Sequence, residues 1–246
     1  MVTTVENGKA GPADRALVAA IRAGLAAAGD PERAVGQQRY MRSVLPFHGV
    51  AMGQVRAIVS GLVPQHPLTG AEHWQATVRA LWDQATHREE RYAALALVRH
   101  RAYREFRTPE ALDLLCHLVR TGAWWDLVDE VAAHPLGEIL RGWPGVVVPV
   151  MTEWAAEDDM WVRRAAILSQ LRAKAETDTV LLDRCLRANL AGSAHGTEFF
   201  IRKAVGWALR EYAKTDAAWV QAFLGEHADL LSPLSIREAS KHLSGT

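Results

Sequence analysis

"FFIRKAVGWALREYAK", residues 199–214, carries the reading of the fold. At about 100° per residue, Ile201, Ala204, Val205, Ala208, Leu209 and Tyr212 fall on one side of a helix. Phe199, Lys203, Trp207, Arg210 and Lys214 fall on the other, within about 80° of one another. Apolar residues recur at three- and four-residue spacing along most of the chain. The pattern predicts helices near 13–28, 31–44, 50–62, 70–86, 88–104, 108–121, 123–133, 144–156, 158–173, 177–190, 197–213, 216–225 and 233–243. Prolines 31, 109, 135, 144 and 233 mark expected helix starts. No segment alternates with a two-residue period between Asn-Gly or Asp-Gly turns, so no strand is predicted. The expected class is all-α.

Tryptophan-bearing segments recur as "EHWQATVRALW", "AWWDLV", "TEWAAEDDMWVRRAA" and "KAVGWALREYA". Their spacing is roughly 35–45 residues, the period of tandem helical pairs. Such pairs stack into an α-solenoid that curves and offers a concave face. The expectation is therefore a leader over residues 1–13 and a single repeat domain over 14–246.

Composition narrows the function classes. The 246 residues are 49% hydrophobic and 23% charged, enough to build a core and unlike a disordered chain. No apolar run approaches the roughly 20 residues of a bilayer span; "VVVPVM" is short and carries a proline. The N-terminus has no signal-peptide pattern. Cys116 and Cys185 form neither a metal-spaced pair nor a disulfide framework, which fits a reducing cytoplasm. Ten scattered histidines give no metal-ligand motif, so no metal or cofactor is expected. The 28 basic and 28 acidic residues cancel. A polyanionic partner then requires basic residues gathered on one surface.

Three faces carry possible chemistry. On 199–214 the core is supplied by one side, which leaves Phe199, Trp207, Lys203, Arg210 and Lys214 as an aromatic and basic stripe suited to nucleic acid. A solvated face whose tryptophan packs on a neighbouring repeat fits the same pattern. Gly206 beside the stripe leaves room for a backbone to approach. In "AWWDLVDEVAA", Trp124, Leu127, Val128 and Val131 share the expected core face, while Trp125 and Asp129 stand at i and i+4 on the other. An ordinary surface acid is the commoner fate of a lone aspartate. In "MWVRRAAILSQLRAKAE", Arg164 lies at the edge of the apolar face and needs an anion, either an acid on the next helix or a phosphate. Arg163, Arg172 and Lys174 add basic charge, and "AAEDDM" places acids where they favour a helix N-terminus.

"TGAWWDLVD", "WVRRAAILSQL" and "EFFIRKAVGWALREYAK", with "RYMRSVLPFHGV" and "LWDQATHREERYAALALV" before them, resemble the signature segments of the AlkD-type bacterial DNA glycosylases, the DNA alkylation repair family. The resemblance spans about residues 13–243. It implies an α-solenoid of HEAT-like repeats with a concave DNA-binding face. It implies a monofunctional glycosylase, a monomer acting on double-stranded DNA. Members excise cationic N3- and N7-alkylated purines without flipping the damaged nucleotide into a pocket. Trp125, Asp129 and Trp207 would line the catalytic cleft. Arg164, Lys203, Arg210, Lys214, Phe199 and Tyr40 would contact DNA. Some relatives protect their host against a bulky DNA-alkylating natural product, and the residues do not choose between that role and housekeeping repair. A non-catalytic binder of DNA structure and a protein-interaction scaffold are the rival readings. The first needs the basic stripe but not Asp129. The second uses Trp125 and Trp207 for packing between repeats.

Overall fold

A computed structural model describes residues 12–243. The leader expected at 1–13 falls almost wholly outside them. Among the described residues there are fourteen α-helices and no strand, as the periodicity implied. None of these helices is long and apolar enough to cross a membrane. They group into two compact units, one ending at Phe106 and one starting at Arg107.

The first unit holds α1 (Arg15–Ala27), α2 (Pro31–Met41), α3 (Met52–Leu62), α4 (Ala71–Asp83) and α5 (Arg88–Arg99). Asp14 and Asp30 cap α1 and α2 by accepting the amides of Leu17 and Arg33. Leu17, Ile21 and Leu25 of α1 meet a core of Val55, Val59, Trp74, Val78, Leu81, Trp82 and Leu97. By contrast, α2 buries no residue. The linker before α3 is pinned by one buried acid. Glu89 accepts the backbone amides of His48 at 3.0 Å, Gly49 at 2.8 Å and Val50 at 3.0 Å. Next to it, Glu90 accepts the Arg22 guanidinium at 2.7 Å and the Thr86 hydroxyl at 2.7 Å. Gly49 has φ +88, and a Cβ there would lie 1.9 Å from the Asp30 carbonyl oxygen.

The second unit holds α6 (Leu112–Gly122), α7 (Trp125–Val131), α8 (Gly137–Gly142), α9 (Pro144–Trp154), α10 (Met160–Leu168), α11 (Thr179–Arg187), α12 (Phe199–Ala213), α13 (Ala217–Glu226) and α14 (Pro233–Ala239). Asp159, Asp178, Asp216 and Ser232 cap the helices that follow them. Helix α10 lies at the centre of the unit and packs on α6, α7, α9, α11 and α12. It is therefore buried almost all round, from Val162 through Leu168.

Two expectations change here. Pro135 does not begin a helix. It sits in a π turn, Ala132–Leu136, that joins α7 to α8 without a break. A proline has no amide to donate, so a turn that already departs from the regular ladder accommodates it. Just beyond, Gly137 passes so close to α10 that a Cβ would meet the Ser169 carbonyl oxygen at 2.5 Å. The second change concerns Arg163, which adds no basic charge to the surface. It is buried, donating to the carbonyls of Ala156, Glu157 and Ala188 and to the Asn189 side chain.

Gly49→Ala should lower the midpoint of urea unfolding. The left-handed backbone alone costs an L-residue about 1–2 kcal/mol, and the contact with Asp30 adds to it. Gly53, whose Cβ would meet nothing within 4 Å, supplies the control. Equal midpoints for the two alanine variants would contradict the account.

Candidate active site

Helix α7 places Asp129 one turn after Trp125. The wheel puts this acid opposite Leu127, Val128 and Val131, which are all buried. Its side chain is nevertheless only 12% exposed, because α10 covers it and brings Arg164, 3% exposed, against it. The contact is bidentate: Arg164 Nε donates to Oδ1 at 2.7 Å and Nη2 donates to Oδ2 at 2.8 Å. The same guanidinium donates through Nη1 to the Phe200 carbonyl on the first turn of α12. One arginine thus ties three helices. Burial pushes the Asp129 carboxyl above the ordinary value of 3.8, and the two bonds from Arg164 offset only part of that.

An aromatic cluster lies beside the pair. Trp124 is not part of the core face. It precedes α7 in extended backbone, half-buried, after Ala123 in the left-handed region at φ 39. Its ring packs on Trp161 at 6.1 Å and edge-on to Phe200 at 5.3 Å. Trp161 and Phe200 are 5.0 Å apart, and Phe199, 52% exposed, stands edge-on to Phe200 at 5.3 Å. The Trp124 indole nitrogen is buried without a hydrogen-bond partner. Phe200 was not singled out from the sequence. Its signal was present in the doubled phenylalanine, but only the α10 contact shows that the second ring turns inward.

On α12 the buried face is Ile201, Ala204, Val205, Gly206, Ala208, Leu209 and Ala213. Tyr212 of the expected core is half-buried and packs edge-on to Trp219 at 5.4 Å. The backbone that approaches Gly206 is the protein's own: a Cβ there would meet Glu238 Cβ at 2.6 Å and the Ser235 carbonyl at 2.9 Å, both on α14. Glu238, buried by that approach, accepts Lys203 at 2.7 Å, Arg210 at 2.7 Å and Lys241 at 2.9 Å. Lys203 first, and then Lys241, hold its carboxyl down to about 2. Lys214 pairs with Glu211 at 2.8 Å. The basic stripe is therefore real in position but partly neutralised, because α14 and α12 itself supply acids that the wheel of one helix cannot show. Trp207 is half-buried in the middle of it.

A family model described as DNA alkylation repair enzyme matches residues 21–243. The chain belongs to the DNA alkylation repair enzyme family. Among solved structures it is similar to a predicted DNA alkylation repair enzyme from Enterococcus faecalis, at 29% identity and a TM-score of 0.77, over 89% of this chain and 98% of that one. No curated protein matches. Family membership supports a role in repair of alkylated DNA, with DNA as the substrate class, on an all-helical repeat fold.

For this member of the family, three placements bear on the expected DNA contacts. Arg164 is buried on Asp129 and offers no free face to a phosphate. Lys203 and Arg210 reach solvent over a carboxylate rather than alone. Tyr40, 74% exposed on α2, belongs to the first unit, away in sequence from α7, α10 and α12. The first unit also holds a trio that the scattered histidines did not suggest. His48, His87 and Glu90 place their ligand atoms within 4.8 Å of one another. The two imidazoles stack at 3.6 Å and 12°, so their lone pairs run side by side instead of converging. Glu90 is already occupied by Arg22 and Thr86. Burial first, and then His87, hold His48 below its ordinary 6.5. With His87 and Glu90 forming its capping box, the trio reads as the cap of α5 and not as a metal centre.

Two measurements check these assignments. Arg164→Met should cost roughly 3–5 kcal/mol in chemical denaturation, the usual loss when one partner of a buried pair is removed; a change below about 1 kcal/mol would show the pair to be dispensable. Glu238 has a lowered folded value, so its contribution is complete above about 4.5 and disappears as pH falls toward about 2. The stability gap between wild type and Glu238→Gln should therefore shrink on acidification through that window. A gap independent of pH would place the effect in packing instead.

Proposed function

We propose that the protein is an AlkD-type DNA glycosylase that hydrolyses the N-glycosidic bond of cationic N3- and N7-alkylated purines without flipping the nucleotide. One observation carries the reading: a nearly buried aspartate, one turn from a half-buried tryptophan, is fixed in orientation by a bidentate arginine.

The chemistry suits those groups. Alkylation leaves the purine positively charged, so the base departs with the bonding electrons and needs no proton. This differs from glycoside hydrolysis, in which one of two carboxyls acts as acid. Positive charge develops on the deoxyribose. The faces of Trp125 and Trp207 favour a nearby cation. Water then adds to C1′ and gives up a proton. Each Asp129 oxygen has two lone pairs, and Arg164 takes one on each. The remaining lone pairs can orient that water and accept its proton. Arg164 lowers the net charge of the pair, so Asp129 serves this chemistry chiefly as a base and a dipole at a fixed position. Arg164 is then a positioning residue, and Lys203, Arg210, Lys214 and Phe199 meet the DNA strand. A carboxyl held above its ordinary value is a better base than an exposed one.

The bidentate pair would serve equally as a cross-tie in a non-catalytic binder of DNA structure. Release of 7-methylguanine from methylated duplex DNA separates the two readings. Asp129→Asn should keep most DNA affinity and lose at least about a hundredfold in single-turnover excision, within the range of a general base. Wild-type excision should also fall on the acid side with an apparent value above 3.8. Near-wild-type excision by the variant would remove Asp129 from the mechanism.

Bulky cationic N3-alkyladenine adducts should be substrates alongside 7-methylguanine, because no base has to fit a pocket. The same substrate range would serve self-resistance to a bulky alkylating natural product. Uracil and 1,N6-ethenoadenine, which are uncharged in DNA and would have to leave as anions, should not be released. Efficient release of either would mean that the enzyme protonates the base.

A further inference from the structure

The cluster on Glu238 has a role that the stripe on α12 alone does not suggest. Its carboxylate is 5% exposed and lies beneath three cations. Lys203 and Arg210 come from α12, whereas Lys241 comes from the turn after α14. All three cationic groups remain partly exposed. Three positive charges on one negative charge leave a surplus of two. Lys203 spends one donor on Glu238 Oε1 and Arg210 spends one on Oε2. An ammonium has three donors and a guanidinium five, so several remain for another acceptor. The carboxylate itself is held from behind, where Glu238 Cβ packs against Gly206. A buried anion with an outward shell of cations is a way to order long, flexible side chains before a ligand arrives.

We propose that Glu238 is a positioning residue that presets Lys203, Arg210 and Lys241 as one binding site for the phosphodiester backbone of DNA, with Lys241 a phosphate contact in its own right. The proposal rests on the DNA-repair reading above. It differs in sign from simple electrostatics. Removing the negative charge of Glu238 makes the surface more positive, and charge alone would tighten DNA binding and steepen its salt dependence. Preset geometry works the other way: without Glu238 the three side chains spread, and fewer counterions are released from DNA when the protein binds.

The test is a salt titration of duplex DNA binding by wild type, Glu238→Gln, Glu238→Asp and Lys241→Gln, read by fluorescence anisotropy. Glu238→Gln should bind about tenfold more weakly with a slope lower by about one unit. In single-turnover excision, its loss should fall more on the half-saturating concentration than on the rate at saturation. Glu238→Asp, which keeps the charge, should recover part of the slope. Tighter binding and a steeper slope for Glu238→Gln would overturn the proposal. If Glu238→Gln does not fold, Lys241→Gln decides. Lys241 is half exposed and bonds to Glu238 alone, so its loss should lower the slope by about one unit in a protein that still folds. An unchanged slope would overturn the proposal. Absence of duplex binding by the wild type in the same titration would instead refute the DNA reading beneath it.

Discussion

The site depends on one guanidinium. Arg164 stands on α10, the most enclosed helix of its unit, and cannot turn to water without leaving a buried charge behind. Its planar fork fits the two oxygens of Asp129, and its remaining nitrogen reaches the first turn of α12. Lysine could supply the charge but not the three directions. A buried ion pair stabilises a fold poorly in comparison with apolar packing of the same volume. Its effect here is orientation. It fixes the rotamer of an acid that lies one turn from Trp125, and it links that acid to the helix that carries Trp207.

The neighbouring Arg163 shows how far two adjacent residues of one type can diverge. It donates to backbone carbonyls at the ends of α9 and α11 and holds the turn that precedes α10. That turn ends in Asp159, which caps α10 by accepting the amides of Trp161 and Val162. The sequence "DDMWVRRAA" thus contains the cap, the staple and the carboxylate clamp within nine residues. The position of the helix follows from the first two, and the position of Asp129 follows from the third.

Much of this is legible in the sequence. Helix periods and capping acids are local, so most helices and the buried side of α12 could be read from spacing, whereas α8, which follows the π turn, lies in no predicted helix. The i, i+4 placement of Trp125 and Asp129 is local too. What escaped was set by residues distant along the chain. The wheel gives the direction of Asp129 but not that α10 fills that direction, so a solvent-side acid became a buried one. It gives the stripe of Lys203 and Arg210 but not the carboxylate that α14 inserts between them. The spacing of Trp124 fits a helical face, yet the left-handed backbone at Ala123 delays the helix until Trp125.

The π turn between α7 and α8 carries a consequence for comparing relatives. Such a turn holds about one residue more than the α turn it replaces. A relative that lacks it would align with a one-residue gap inside 132–136 and with both flanks otherwise in phase. The wider turn takes up that residue within itself, so the residues after it keep their phase with α7. Gly137, directly after the turn, lies against the Ser169 carbonyl, where no larger residue fits. The glycine is therefore constrained by the end of α10 and not by the length of the turn before it.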